Sequence, residues 1–270
     1  MLYIIIVMKL GICGIGFVGN AIYKYFDKKG YTLFLYDKYK NIGTFEELLE
    51  SDILFICLPT LYDDNLKTYD MTEIDNTLYL LSLHYYSGII LIKSTVLPDY
   101  CSQQNELYNN LFIISNPEFL SAKTSVEDFE NQTHIILGYT KYSQSKIDII
   151  ESLYKENFNN AIISITVSET ANLVKLSCNS FYAIKIQYFT EIYLLCQKLN
   201  IPYEDVKKLM LNNNWINPMH TNVPGHDGKI SFGGSCFPKD INALNQFMIS
   251  NNINNRILNS TIIEQQQMRK

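Results

Sequence analysis

The sequence predicts an α/β protein: a parallel sheet covered by helices over residues 1–165, then an all-helical part over 166–270. Three observations carry this. Short β-rich apolar runs alternate with amphipathic stretches through the first part, the pattern of strand–helix–strand units. The runs are continuously apolar, as strands buried on both faces must be. After Ile165 they stop, and neither Gly nor Pro interrupts the chain until Asn200. That leaves room for a helix of about nine turns.

In chain order, strands are expected at Lys9–Cys13, Tyr31–Tyr36, Ile53–Leu58, Gly88–Ile92, Phe112–Ser115, Ile135–Leu137 and Ala161–Ile165. A helix over Phe17–Phe26 joins the first two. Thr166-Val-Ser-Glu169 reads as a capping box that opens the long helix. Pro202 opens a second helix. Asn212 to Gly234, with Pro218, Pro224 and four glycines, reads as loop, and a last helical stretch runs from near Asp240 to the end. Leu2 to Met8 is apolar but far short of the ~20 residues that span a bilayer. It has no preceding positive residue and no small-residue cleavage site, so it reads as a lead-in to the first strand, with Met8 as an alternative start. A cytoplasmic protein without a membrane segment is the expectation.

Composition narrows the function classes. At ~150 residues per domain, 270 residues make one large domain or two modest ones. With 47% hydrophobic and 18% charged residues, the chain is neither disordered nor collagenous. The net charge of −5 is spread without a basic run, which argues against nucleic-acid or anionic-membrane partners. Thirty-five Ile, 27 Asn and 20 Tyr against six Ala reflect AT-rich codons rather than fold. Cys13, Cys57, Cys101, Cys178, Cys196 and Cys236 lie far apart, with no C-x-x-C and no His at ligand spacing. Neither disulfides nor a metal site is expected, and a reducing compartment fits.

Gly14-Ile15-Gly16-Phe17-Val18-Gly19 matches G-x-G-x-x-G between a strand and a helix. The first glycine turns the chain, the second admits a pyrophosphate, and the third lets helix pack on strand. The helix N-terminus adds N–H donors and positive dipole. Alone the motif is weak, and a glycine-rich turn without a ligand is the alternative. Here a second strand ends at Asp37, 18 residues past Gly19, where a carboxylate accepts ribose hydroxyls. A Rossmann-type domain holding NAD is the expectation. Asp37 repels a 2′-phosphate, while Lys38 and Lys40 beside it pull the other way.

Gly233-Gly234-Ser-Cys236-Phe-Pro-Lys239-Asp240 sets a cysteine at a loop-to-helix junction. A helix N-terminus and a nearby lysine favour the thiolate, the form that attacks. The other cysteines sit in apolar contexts or, like Cys101, lack an activating neighbour, and read as core residues. On the long helix, Lys175 and Asn179 share a face and together suit polarising a carbonyl or holding an oxyanion. Taken alone, Lys175 reads as a solvated surface lysine. Phe181, Tyr182, Ile186, Phe189, Ile192 and Leu195 place apolar groups on more than one helix face, which predicts a homodimer.

Gly14–Gly19, Ser94-Thr95-Val96 before Pro98, Asn116-Pro-Glu118-Phe119-Leu120, Lys175-x-x-x-Asn179 and the Cys236 motif occur in this order. The set resembles the nucleotide-sugar dehydrogenases, the UDP-glucose/GDP-mannose dehydrogenase family, over nearly the whole chain. Phe237 is more similar to the UDP-glucose enzymes. The resemblance implies four-electron oxidation of a sugar C6 alcohol to a carboxylate with two NAD⁺, UDP-glucose being the substrate, by a homodimer. Lys175, Asn179 and a water would manage the first deprotonation. Cys236 would trap the aldehyde as a thiohemiacetal and carry it to a thioester. Glu118 would activate water as general base, and Asp240 would orient water and Lys175. Pro59, Thr60, Ser94, Thr95 and Lys239 would contact the cofactor. Phe119, Leu120, His220, Phe232 and Gly233, with Glu118, Lys175 and Asn179, would line the sugar side.

Three departures accompany the resemblance. The family's second Glu, four residues past Glu118, is Ala122 here, with Ser121 and Lys123 as possible substitutes. An Arg expected sixteen residues before Cys236 is His220, with Lys229 a candidate cationic replacement. A third, nucleotide-gripping domain would follow where this sequence stops at Lys270. Two other functions compete: a two-electron β-hydroxyacid-type dehydrogenase, which needs no cysteine, and a non-catalytic NAD-binding subunit.

Overall fold

A computed structural model describes residues 8–269, so all of the expected lead-in except Met8 lies outside the described residues. Seven strands form one sheet: β1 (Lys9–Cys13), β2 (Thr32–Tyr36), β3 (Ile53–Ile56), β6 (Ile89–Ile92), β7 (Phe112–Ser115), β8 (His134–Tyr139) and β9 (Ile162–Val167). Two short strands, β4 (Tyr62–Asp63) and β5 (Thr68–Tyr69), make a separate hairpin. The sheet order is β2-β1-β3-β6-β7-β8-β9. The first five are parallel, as expected, but β8 runs antiparallel to β7 and β9 follows β8. The sequence could not show this, because strand direction is set by how the chain returns to the sheet edge rather than by residue pattern.

Period-two alternation divides each apolar run between two cores. Leu10, Ile12, Ile53, Phe55, Ile89, Leu91 and Ile114 face one core. It is closed by α1 (Phe17–Lys28), α5 (Ser125–Glu130) and α6 (Ile147–Asn157), through Ile22, Phe26, Phe129, Ile150 and Tyr154. Cys13, Leu54, Ile56, Ile90, Ile92 and Ile113 face the other. That side is covered by α2 (Phe45–Leu48), α3 (Thr72–Leu83) and α4 (Tyr100–Leu107). Cys101 is thus a buried residue of α4, and its thiol is pushed up to about 12 by burial.

Helix α7 (Ser168–Leu199) has about the expected length, but it starts past Thr166, so the expected capping box does not open it. Strand β9 continues through Val167, so Thr166 pairs with Gly138 in the sheet. Glu169 instead accepts from the hydroxyls of Ser102 (2.5 Å) and Ser168 (3.1 Å). A reciprocal capping box does form at α2, where Thr44 and Glu47 satisfy each other's backbone N–H. α8 (Tyr203–Leu211) starts after Pro202. The expected last helix is two, α9 (Phe237–Ser250) and α10 (Arg256–Met268). The break falls in an Asn-rich stretch where Asn252 takes φ 57°, a left-handed conformation Asn tolerates better than most residues.

The chain separates into two compact units. The first comprises the described residues through Leu61 and Asp70–Lys175, with the sheet. The second comprises the β4–β5 hairpin, Tyr62–Tyr69, and the residues from Leu176 onward. The division falls within α7, ten residues past the 165/166 boundary read from the sequence, because the first turns of that helix are tied to the sheet unit: Ser115 Oγ donates to Asn172 Oδ1 (2.5 Å). In the second unit, Phe189, Cys196, Tyr203 and Val223 form a core, so Phe189 is an interior residue, not part of an exposed apolar face. Among the described residues, no helix is long and apolar enough to cross a membrane.

Candidate active site

In the sheet unit, the predicted cofactor residues gather at the carboxyl ends of the parallel strands, where ligands bind in open α/β sheets. Gly14 takes φ +90°, and a Cβ on Gly19 would meet the Gly14 carbonyl oxygen at 1.9 Å, so neither position admits a side chain. Gly16 is the N-cap of α1, with open space where its Cβ would be. Ile15 is buried, Val18 half-buried and Phe17 exposed. Asp37 directly follows β2. Its Oδ2 accepts from Ile15 N (2.9 Å) and its Oδ1 from Tyr39 N and Lys40 N (3.1 Å each). Ser94 Oγ donates to Leu58 O (2.7 Å) and Thr60 Oγ1 to Thr95 O (2.8 Å), which joins the loops after β3 and β6 beside exposed Pro59.

Past β7, the Asn116-Pro-Glu118 turn presents a carboxylate. Glu118 Oε2 accepts from Leu120 N (2.6 Å) and Oε1 from Lys175 Nζ (3.3 Å). Lys175 is only 6% exposed, so the surface-lysine alternative does not hold. Its ammonium also lies 5.2 Å from the ring centroid of Phe119. Ala122 follows without a carboxylate. Ser121 is exposed, with its N–H on Asp128 (2.8 Å), and Lys123 is exposed.

In the helical unit, Cys236 is exposed and is the N-cap of α9. One turn on, Asp240 is fully buried. Its Oδ1 accepts from Tyr69 OH (2.5 Å) and Lys239 Nζ (2.6 Å), and its Oδ2 from Asn179 Nδ2 (2.6 Å). Three donors thus converge on one carboxylate, and Lys239, expected on the cofactor, is engaged here. His220, at the Arg position, takes φ 64° and packs its ring against Tyr182 (4.9 Å) and Phe237 (5.3 Å). Burial, then the charge of Lys185, lowers its pKa, so it is neutral near pH 7 and does not replace an arginine's charge. Lys229 is exposed. Phe232 is buried, and its carbonyl oxygen accepts from Gln265 Nε2 (3.4 Å). A Cβ on Gly233 would strike the Arg269 guanidinium at 2.1 Å.

The UDP-glucose/GDP-mannose dehydrogenase family matches this chain twice, by its NAD binding domain over residues 39–158 and its central domain over 169–265. The chain belongs to this family. It is 34% identical over 224 residues to a UDP-glucose 6-dehydrogenase of Rickettsia bellii, covering 80% of this chain and 50% of that protein. The corresponding protein of Campylobacter jejuni is 27% identical over 229 residues, covering 83% and 55%. The chain therefore spans about half the length of these curated relatives. Among solved structures, a UDP-glucose dehydrogenase from Pyrobaculum islandicum superposes with a TM-score of 0.85 at 20% identity, covering 99% of this chain and 70% of that one. A 3-hydroxyisobutyrate dehydrogenase from Mycobacterium tuberculosis shares the fold at TM-score 0.71 and 12% identity, covering 95% and 92%.

NAD is the cofactor of this family's first domain, and the residues present fit it. Gly16, with open space where a Cβ would be, leaves the backbone at the helix N-terminus open to a pyrophosphate, and Asp37 is held at the end of β2, where a carboxylate can accept ribose hydroxyls. Two buried residues bonded to predicted site residues or their neighbours escape the sequence reading. Tyr69 lies 171 positions from Asp240 and reaches it through the β4–β5 hairpin packed on α9. Burial, then the Asp240 charge, holds the Tyr69 hydroxyl well above the usual phenol range, so it remains a donor. Lys93, buried, donates to Asn116 Oδ1 (3.2 Å), and burial lowers its ammonium to about 8. A short-range signal for either is absent, because both partners are distant in sequence.

Proposed function

We propose that this protein oxidises the C6 hydroxyl of a nucleotide sugar, UDP-glucose, to the carboxylate by way of a covalent bond to Cys236. The observation that carries the reading is an exposed cysteine at the start of α9, followed one turn on by a buried aspartate holding three donors. NAD⁺, when bound, supplies a two-electron acceptor for each of the two oxidations. Lys175 and Asn179, one turn apart on α7, take up the hydroxyl proton through water and steady the alkoxide. The Cys236 thiolate adds to the aldehyde carbon, forming an S–C bond while the carbonyl oxygen gains a proton. The second oxidation leaves that carbon as a thioester on the sulfur. Glu118 accepts a proton from the attacking water, the S–C bond breaks, and the thiolate returns. Asp240 fixes Asn179 and Lys239 throughout. Residues 1–165 act as the NAD-binding domain and 166–270 as the central domain.

The proposed assembly is a homodimer in the cytoplasm. Phe181, Tyr188 and Leu195 recur every seven residues along α7 and are 59%, 51% and 53% exposed, a stripe that suits a second copy. Among the described residues no cysteine is in a disulfide, in keeping with a reducing compartment. Purified protein with UDP-glucose and NAD⁺ tests the reading. Two NADH per sugar consumed are expected. One NADH per sugar supports the two-electron alternative, and NAD⁺ binding with no NADH supports the non-catalytic subunit. A dimer mass by light scattering checks the assembly.

A further inference from the structure

The turn after β2 carries Asp37-Lys38-Tyr39-Lys40, one acid suited to ribose hydroxyls beside two lysines that would welcome a 2′-phosphate. The geometry points to Glu73, from the first turn of α3, as the residue that settles this contest for NAD by occupying Lys38. Lys38 Nζ lies 2.8 Å from Glu73 Oε1 and 2.7 Å from Oε2. Tyr39 OH donates to the same Oε1 at 2.8 Å, and Lys38 Nζ sits 4.8 Å from the Tyr39 ring centroid. The pairing with Lys38 keeps the Glu73 carboxyl below its ordinary range, so the clamp is charged at neutral pH. Lys40 is occupied as well, its Nζ donating to Ile15 O at 2.5 Å. Asp37 is pinned by three backbone N–H groups and cannot swing away from an incoming phosphate. A 2′-phosphate gains affinity from charge-assisted bonds to lysine or arginine. Here it meets a fixed carboxylate and a lysine already neutralised by a second one. No feature of the sequence marks Glu73, which lies 35 positions from Lys38.

The inference rests on the NAD-binding reading of this domain, and calorimetry on the full chain tests both. NAD⁺ and NADP⁺ are titrated into the unaltered protein, Glu73→Gln, and Glu73→Gln with Lys38→Ala. Glu73→Gln is expected to lower the Kd for NADP⁺ about threefold to fivefold, the scale of one partly exposed charge pair. The added Lys38→Ala should remove that gain, with NAD⁺ as the internal reference for an intact fold. An unchanged NADP⁺ Kd in Glu73→Gln, or a gain that persists without Lys38, overturns the proposal. Failure of the unaltered chain to bind NAD⁺ overturns the cofactor reading and the proposal with it, and the first titration alone distinguishes that result.

Discussion

Glu118 and Asp240 are both carboxylates beside a lysine, yet the two units hold them differently. Asp240 is fully buried and receives three side-chain donors at 2.5–2.6 Å. Glu118 keeps 14% of its side chain exposed and meets Lys175 at a looser 3.3 Å. A carboxylate saturated with donors is an anchor, since protonating it would sacrifice several bonds. One with a single side-chain donor and access to solvent is free to exchange a proton with water. The contrast supports the proposed roles, Asp240 in positioning and Glu118 in chemistry.

The strongest way to break this division is through Cys236, the nucleophile of the proposed mechanism. Cys236→Ser is expected to lose multiple-turnover oxidation to the acid and stall as an adduct visible in intact-protein mass. Sustained turnover by that variant would end the covalent mechanism. Iodoacetamide should label Cys236 first, because burial pushes the Cys13 and Cys101 thiols up to about 12. Next in size, Glu118→Gln should slow hydrolysis by about 10²–10⁴-fold, the usual loss of a general base. The covalent sugar–enzyme species should then accumulate, and a rate unchanged from the parent would move the base elsewhere.

The anchor is tested through stability. Asp240→Ala leaves Lys239, Tyr69 and Asn179 facing an empty acceptor position, and removing one partner of a buried ion pair costs about 3–5 kcal/mol. A loss of unfolding free energy of that size, read from urea titration, is expected, whereas Glu118→Gln, which keeps an amide oxygen for Lys175, should cost less. Tyr69→Phe deletes one donor and leaves two, so the loss should be smaller, about 1.5–3 kcal/mol for a bond to a charged group. Equal unfolding midpoints for Tyr69→Phe and the parent would mean that Tyr69 adds nothing to the anchor.

Much of this was legible in the chain itself. The glycine turn, Asp37 and the run of buried strands follow from local rules: φ and close approach decide Gly14 and Gly19, and alternation decides which core each strand residue joins. Cys236 at a loop-to-helix junction and Lys175 with Asn179 on one helix were likewise set by spacing of a few residues. What spacing cannot carry is contact between distant segments. The antiparallel β7–β8 pairing, the burial of Lys175 against Glu118 and the loss of the Thr166 cap to a longer β9 all depend on which segments meet. So do the reach of Tyr69 to Asp240 and of Glu73 to Lys38, because a hydrogen bond across 171 or 35 positions leaves no periodic trace in either segment.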